Sequence, residues 1–224
     1  ILSSHSQVAS AGESQNFGIL LKRACRTPSP QVLDEATLAQ SLRVDLQALG
    51  RDYVERTRPA GRVQPRFVDK MPLNFFYLGH IARALPAASI VVLRRHPLDT
   101  GLSNFRQLYA TGFSYYEYAR DLRDIGRYYA QFDRLIAHWQ ATLPGRVHEV
   151  RYEALVADLL FVLRLAVGEL GEVALRDLYH RRVDVVEAVG VVGVAVGRER
   201  ARAQADHAHP DRPALVGEDR HADS

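Results

Sequence analysis

The sequence predicts an α/β fold in which a parallel sheet is flanked by helices. Three observations predict it. SIVVL, at 89–93, is a continuous apolar run rich in β-branched residues, the pattern of a strand buried on both faces. RFVD at 66–69 and VHEVRY at 147–152 are two more strand candidates on either side of it. Each of the three leads into a helical pattern, and strand–helix alternation argues for parallel pairing.

The elements follow in chain order. Residues 1–25 read as a helix end, a loop (SHSQVASAGES) and a short apolar segment. Pro28 and Pro30 mark a loop over 26–33. Asp34 can cap a helix running to about Arg56, with Leu38, Leu42, Leu46 and Leu49 on one face. RPAGRVQP is a turn-rich connection to the first strand. KMPLN is a loop at that strand's end, and 73–85 is a short helix. After SIVVL, Leu98, Leu102, Phe105 and Leu108 keep helical spacing. The clearest helix covers about 115–142, where Tyr118, Leu122, Ile125, Tyr129, Phe132, Ile136 and Trp139 step by three and four. Pro144-Gly145 stops it, and another helix starts near Glu153.

Beyond Tyr179 the character changes. No Phe, Tyr or Trp follows, and four of the nine histidines do. VDVVEAVGVVGVAVG is a valine–glycine run, and the residues after it have no apolar periodicity. The chain thus divides into a folded part at 1–158, a helical remainder at 159–182 and an anomalous tail at 183–224. The tail reads as disordered or as the product of a frame shift between about 159 and 183.

Composition narrows the function classes. The 224 residues suffice for one α/β domain. A net charge of +3 is too mild to predict a nucleic-acid partner. Cys25 is the only cysteine, so neither an internal disulfide nor a cysteine-rich metal site is expected, and the histidines show no metal-ligand spacing. No signal peptide and no 18-residue apolar span are recognisable, so a cytoplasmic chain without a membrane partner is expected.

The chemistry concentrates at strand ends, where open α/β sheets bind ligands. In RRHPLDTGLS, at 94–103, Arg94 and Arg95 close a strand and Pro97 opens a helix that Asp99 or Thr100 can cap. Free amides and a partial positive charge at that helix start favour a phosphate. Arg95 adds a guanidinium fork, and Ser103, eight residues on, adds a hydroxyl. Lys70, one of only two lysines with Lys22, follows the 66–69 strand and can neutralise a transferring anionic group. Glu13 is a carboxylate in the first loop with the chemistry of a general base, and Asp69 is an equally good acid on chemistry alone.

ILSSHSQVASAGE, FVDKMPLNFFYLGHI, IVVLRRHPLDTGLSNFRQ, FSYYEYARDLRDIGRYY and HEVRYEALVAD, taken in order, resemble the sulfotransferase family. The resemblance covers residues 1 to about 158 and is nearest to bacterial members associated with tetratricopeptide repeats, which are similar to protein-tyrosine sulfotransferases. It implies a P-loop nucleotide-binding type of sheet. It implies sulfuryl transfer from 3'-phosphoadenosine 5'-phosphosulfate to an acceptor hydroxyl or amine on a small molecule or peptide, with no metal. Arg95 and Ser103 match the family's 3'-phosphate-binding arginine and serine. Glu13, by its spacing from His5, matches the catalytic base, and Lys70 the lysine that steadies the sulfuryl group.

The same resemblance places the family's 5'-phosphosulfate loop, of Pro-Arg-Ser-Gly-Thr-Thr type, and the strand before it upstream of Ile1, together with any tetratricopeptide repeats. The expected domain is therefore partial and N-terminally truncated, with little or no activity as this chain. Two other readings fit parts of the pattern: a nucleotide-dependent kinase on a similar sheet, and a non-catalytic remnant that still binds nucleotide.

Overall fold

The computed structural model describes residues 2–107, 109–110, 114–158 and 191–196. In chain order the strands and helices are β1 (Val8–Ser10), α1 (Asn16–Cys25), α2 (Glu35–Ser41), α3 (Leu46–Thr57), β2 (Arg66–Lys70), α4 (Leu78–Ala84), β3 (Ser89–Arg94), α5 (Pro97–Arg106), α6 (Leu122–Thr142), β4 (Val147–Arg151), α7 (Tyr152–Ala157) and β5 (Val191–Val196). Tight 3-10 turns at Leu2–Ser4, Pro72–Tyr77 and Ser114–Arg120 complete the list.

One sheet holds all five strands in the order β1-β2-β5-β3-β4. β1 runs parallel to β2, and β3 parallel to β4. β5 lies antiparallel between β2 and β3, pairing Asp69 with Val194 and Val92 with Val192. Four strands therefore share one direction, as the alternation predicts, and their carboxyl ends lie on one edge. The antiparallel fifth comes from the valine–glycine run in the anomalous tail. The helical remainder and the rest of the tail lie outside the described residues.

The core forms where strands and helices turn apolar faces to each other. Phe67, Ile90 and Val92 from the sheet pack with Phe17, Leu21, Tyr53, Leu78, Ile81, Phe132 and Ile136, all buried. Burying side chains of this size contributes about 1.5–3 kcal/mol each before conformational entropy is offset.

Several expected elements are corrected. The long helix from Asp34 is two helices. Asp34 caps α2 through the Thr37 amide, but Asp45 then accepts from the Gln47 and Ala48 amides and starts α3. A carboxylate offering the backbone a local acceptor competes with helix continuation. The leucine stripe splits with it: Leu46 and Leu49 are buried, while Leu42 is 80% exposed. The 73–85 helix begins as a 3-10 turn, and the long helix starts at Asp121, whose carboxylate accepts from the Arg123 and Asp124 amides. β1 was hidden in the first loop, because three residues carry too little pattern to read.

The Asp34 cap has a consequence in acid. Its carboxyl accepts from the Ser29 hydroxyl and the Thr37 amide and faces Lys22, which hold its pKa near 2 against an ordinary 3.8. A depressed carboxyl stabilises the fold above the unfolded value and loses that contribution as pH falls through the folded one. Denaturant midpoints of wild type and Asp34→Asn should thus differ by a constant amount above pH 3.8 and converge as pH drops toward 2.

Candidate functional site

The four sequence-predicted residues stand in two groups on the carboxyl edge of the parallel strands. The first group comes from the β1–α1 loop and the end of β2. Lys70 is the last residue of β2, and its ammonium pairs with the Glu13 carboxylate. The two are 57 positions apart in sequence, and two backbone hydrogen bonds bring them together. Ala11 N–H donates to Val68 O at 2.8 Å and Lys70 N–H to Gly12 O at 2.9 Å, which continues the β1–β2 ladder past its end. Gly12 turns the chain there with φ +73°, a left-handed conformation that favours glycine. Burial lowers the Lys70 pKa.

The second group is the β3–α5 junction. Arg94, the last residue of β3, and Arg95, just past it, part company here. Arg94 is mostly buried, donates to Glu149 at 3.0 Å and to Asp133, and lies over the Phe132 ring. It is a structural arginine that ties β3 to β4 and α6. Arg95 stacks over Tyr152, 5.3 Å from the ring centre, and lies 3.8 Å from the Asp99 carboxylate. The cap of α5 is neither Asp99 nor Thr100 but His96, whose Nδ1 accepts from the Leu98 amide at 3.3 Å. Pro97 takes the first helical position, where its fixed φ suits a helix start.

Ser103 sits in the second turn of α5. Its Oγ is buried and has no hydrogen-bond partner among the described residues. A buried hydroxyl left unsatisfied costs about 1–3 kcal/mol, so such atoms call for a ligand or another explanation. Ser103→Ala should therefore raise the melting temperature slightly, whereas loss of an ordinary bonded serine lowers it.

An anionic oxygen already uses this junction. The Glu153 carboxylate accepts the His96 N–H at 2.7 Å, and that hydrogen bond lowers its pKa. A carboxylate at a strand-to-helix amide shows that the junction favours anions. A cleft of about 530 Å³ opens beside it, lined by Arg94, Arg95, His96, Tyr129, Glu149 and Glu153 among others. Only Arg95 of the four predicted residues lines it. Glu153 was inside a motif quoted above, but nothing in its spacing marked it as the partner of the His96 amide.

The helix that presents Ser103 is inverted relative to expectation. Leu98, Leu102 and Phe105 are exposed, Leu98 to 75%, while Thr100, Gly101 and Asn104 face inward. Asn104 explains the reversal. Its amide donates to Thr100 O at 2.7 Å, and its carbonyl accepts from the hydroxyls of Tyr109 and Tyr118 at 2.7 and 3.3 Å. A satisfied polar network buries the helix by its polar side.

The two groups are joined by the sheet. β5 separates β2 from β3, so two strand spacings, about 10 Å, divide the end of Lys70's strand from the end of Arg95's. A hollow of about 160 Å³, lined by Gln15, Ile19, Met71, Asn74, Tyr77 and Tyr115 among others, lies next to Lys70 in sequence. A larger groove of about 640 Å³ along α1 and α3 contains none of the four. Among the described residues no cluster of three metal-ligating side chains occurs, and no helix is long and apolar enough to cross a membrane.

The profile of the sulfotransferase family matches residues 1–171. The chain belongs to the sulfotransferase family. An uncharacterized protein of Aquifex aeolicus (strain VF5) is 32% identical over 169 residues, which are 73% of this chain and 22% of that protein. The chain thus spans about a fifth of that relative's length. No solved structure matches this chain. The sulfotransferase match covers both site groups and ends before β5, so the antiparallel strand lies beyond the family region.

Proposed function

We propose that this sulfotransferase moves a sulfuryl group from 3'-phosphoadenosine 5'-phosphosulfate to an acceptor hydroxyl or amine. The observation that carries the reading is the buried Ser103 hydroxyl, without a partner among the described residues, on the helix that follows Arg95, at a junction whose amide already holds an anionic oxygen. These groups fit a phosphate. Arg95 and Ser103 would hold the 3'-phosphate, and that phosphate would compete with the Asp99 carboxylate for the Arg95 guanidinium.

When bound, the donor supplies a sulfuryl group on a phosphate leaving group. The chain's own task is then positioning and charge. Lys70, partly desolvated at the end of β2, offers its ammonium where negative charge develops. Glu13 stands against it and takes the acceptor proton. The hollow beside Met71, with Ile19, Tyr77 and Tyr115 in its wall, would receive the acceptor next to this pair. Fixing the acceptor there supplies the proximity that in-line displacement needs.

Titration calorimetry tests the donor half of this reading. Adenosine 3',5'-bisphosphate should bind at least tenfold more tightly than adenosine 5'-monophosphate, about the 1.5–3 kcal/mol of charge-assisted hydrogen bonds to the 3'-phosphate. Equal affinity for the two nucleotides rejects it.

A further inference from the structure

Asp69 precedes Lys70, and the proposed transfer does not use its carboxylate. It is wholly buried. Strand alternation sends Lys70 and Asp69 to opposite faces of β2, so Asp69 points into the protein and cannot act as the acid or base its chemistry alone allowed. A buried carboxylate is costly unless its oxygens are satisfied. Here both oxygens are used. Oδ1 accepts the Ser14 amide at 3.0 Å, and Oδ2 accepts the Tyr53 hydroxyl at 2.7 Å.

Each partner has a clear mechanical meaning. Ser14 is the residue after Glu13, so the Asp69–Ser14 bond closes the far side of the loop that Gly12 turns. The near side is closed by the Lys70–Gly12 bond. Tyr53 is buried in α3 with its ring edge against Phe17 at 5.5 Å, which fixes where its hydroxyl can reach. Burial raises the Tyr53 pKa, so the phenol remains a donor through the neutral range. Burial also raises that of Asp69, and the bonds from Tyr53 and Ser14 oppose it.

We infer that Asp69 is a positioning residue. It sets Glu13 against Lys70 by holding the Ser14 amide, while Tyr53 locks the orientation of the Asp69 carboxylate. Its purpose rests on the proposed transfer; its geometry does not. Asp69 touches neither donor nor acceptor and acts only through the loop.

The experiment reads the pair directly. Lys22 and Lys70 are the only lysines, so acylation by an N-hydroxysuccinimide ester, mapped by mass spectrometry on the full chain, reports each amine separately. Removing a neighbouring carboxylate favours the neutral, reactive amine. Glu13→Gln should therefore label Lys70 about threefold faster at pH 8, the size of an exposed ion pair. In an Asp69→Ala chain the same substitution should leave the Lys70 rate unchanged. Lys22, held by Ser29, Gln31 and Asp34, is the internal check that the fold is intact.

A persistent threefold effect in Asp69→Ala, with Lys22 labelled at its native rate, overturns the inference. So does the absence of any Glu13 effect in the native background. Should Asp69→Ala expose Lys22, Tyr53→Phe takes its place, since it removes one hydroxyl only. The Glu13 effect must then shrink, and an undiminished effect overturns the inference. No nucleotide enters the experiment, so its failure and a failure of nucleotide binding are distinct results.

Discussion

Glu13→Gln is expected to lower the rate of the proposed sulfuryl transfer by about 10²–10⁴-fold, the range that a positioned general base contributes. Adenosine 3',5'-bisphosphate affinity stays at the wild-type level, because Glu13 lies with Lys70 and not at the β3–α5 junction. The measurement is single-turnover transfer from radiolabelled donor, run on the chain and on a version extended upstream. Glutamine keeps the shape of the side chain but cannot take a proton, so the loss falls on the rate and leaves binding unchanged. An unchanged rate would move the base elsewhere, and the burial of Asp69 leaves that residue no access to the acceptor.

Gly50→Ala prevents α3 from seating on α4. A Cβ built at Gly50 would stand 2.0 Å from the Ala84 carbonyl oxygen, a backbone atom that cannot swing aside as a side chain can. Overpacking of this kind costs about 3 kcal/mol, a large share of the stability of a domain this size. Urea unfolding should show a lower midpoint with an unchanged slope. The damage should reach the site, because α3 carries Tyr53 and Tyr53 holds Asp69. Asp34→Asn, in contrast, acts at the far end of the α2–α3 segment and should leave Lys70 labelling as it is.

Much of this architecture was legible because it is periodic. SIVVL announced a strand buried on both faces; Ile90 and Val92, on one face, are fully buried, while Val91 and Leu93, on the other, are half-buried. The stepping of Ile125, Phe132 and Ile136 announced α6, and all three are buried. The failures share a physical cause: polar groups that organise backbone locally. One helix ends at Ser41 and Asp45 begins another within a single leucine stripe. Asn104, bonded to Tyr109 and Tyr118, buries α5 by the side its leucines do not occupy. His96 displaces Asp99 and Thr100 as the cap of the same helix. Hydrogen bonds of this kind have no period, so a pattern of apolar spacing cannot report them.

The site was legible as residue types and not as distances. Lys70 and Glu13, argued separately from chemistry, meet in one ion pair. Arg95 and Ser103 lie on one strand–helix segment, yet no hydrogen bond joins them, and the hydroxyl of Ser103 is left without a partner among the described residues. The clamp on Asp69 is three-dimensional: Ser14 comes from the first loop and Tyr53 from α3, 55 and 16 positions away. The antiparallel β5 was beyond reach for another reason. A valine–glycine run has high strand propensity, but its direction and its place between β2 and β3 are set by the strands it joins.

The most direct test of the account is the affinity of Arg95→Ala for adenosine 3',5'-bisphosphate, measured beside wild type at one ionic strength. Loss of a charge-assisted contact to phosphate predicts at least tenfold weaker binding, with the protein still folded because Arg94 keeps its ion pairs to Asp133 and Glu149. Wild-type binding that Arg95→Ala leaves intact, or no wild-type binding at all, would contradict the assignment of this junction to the sulfuryl donor.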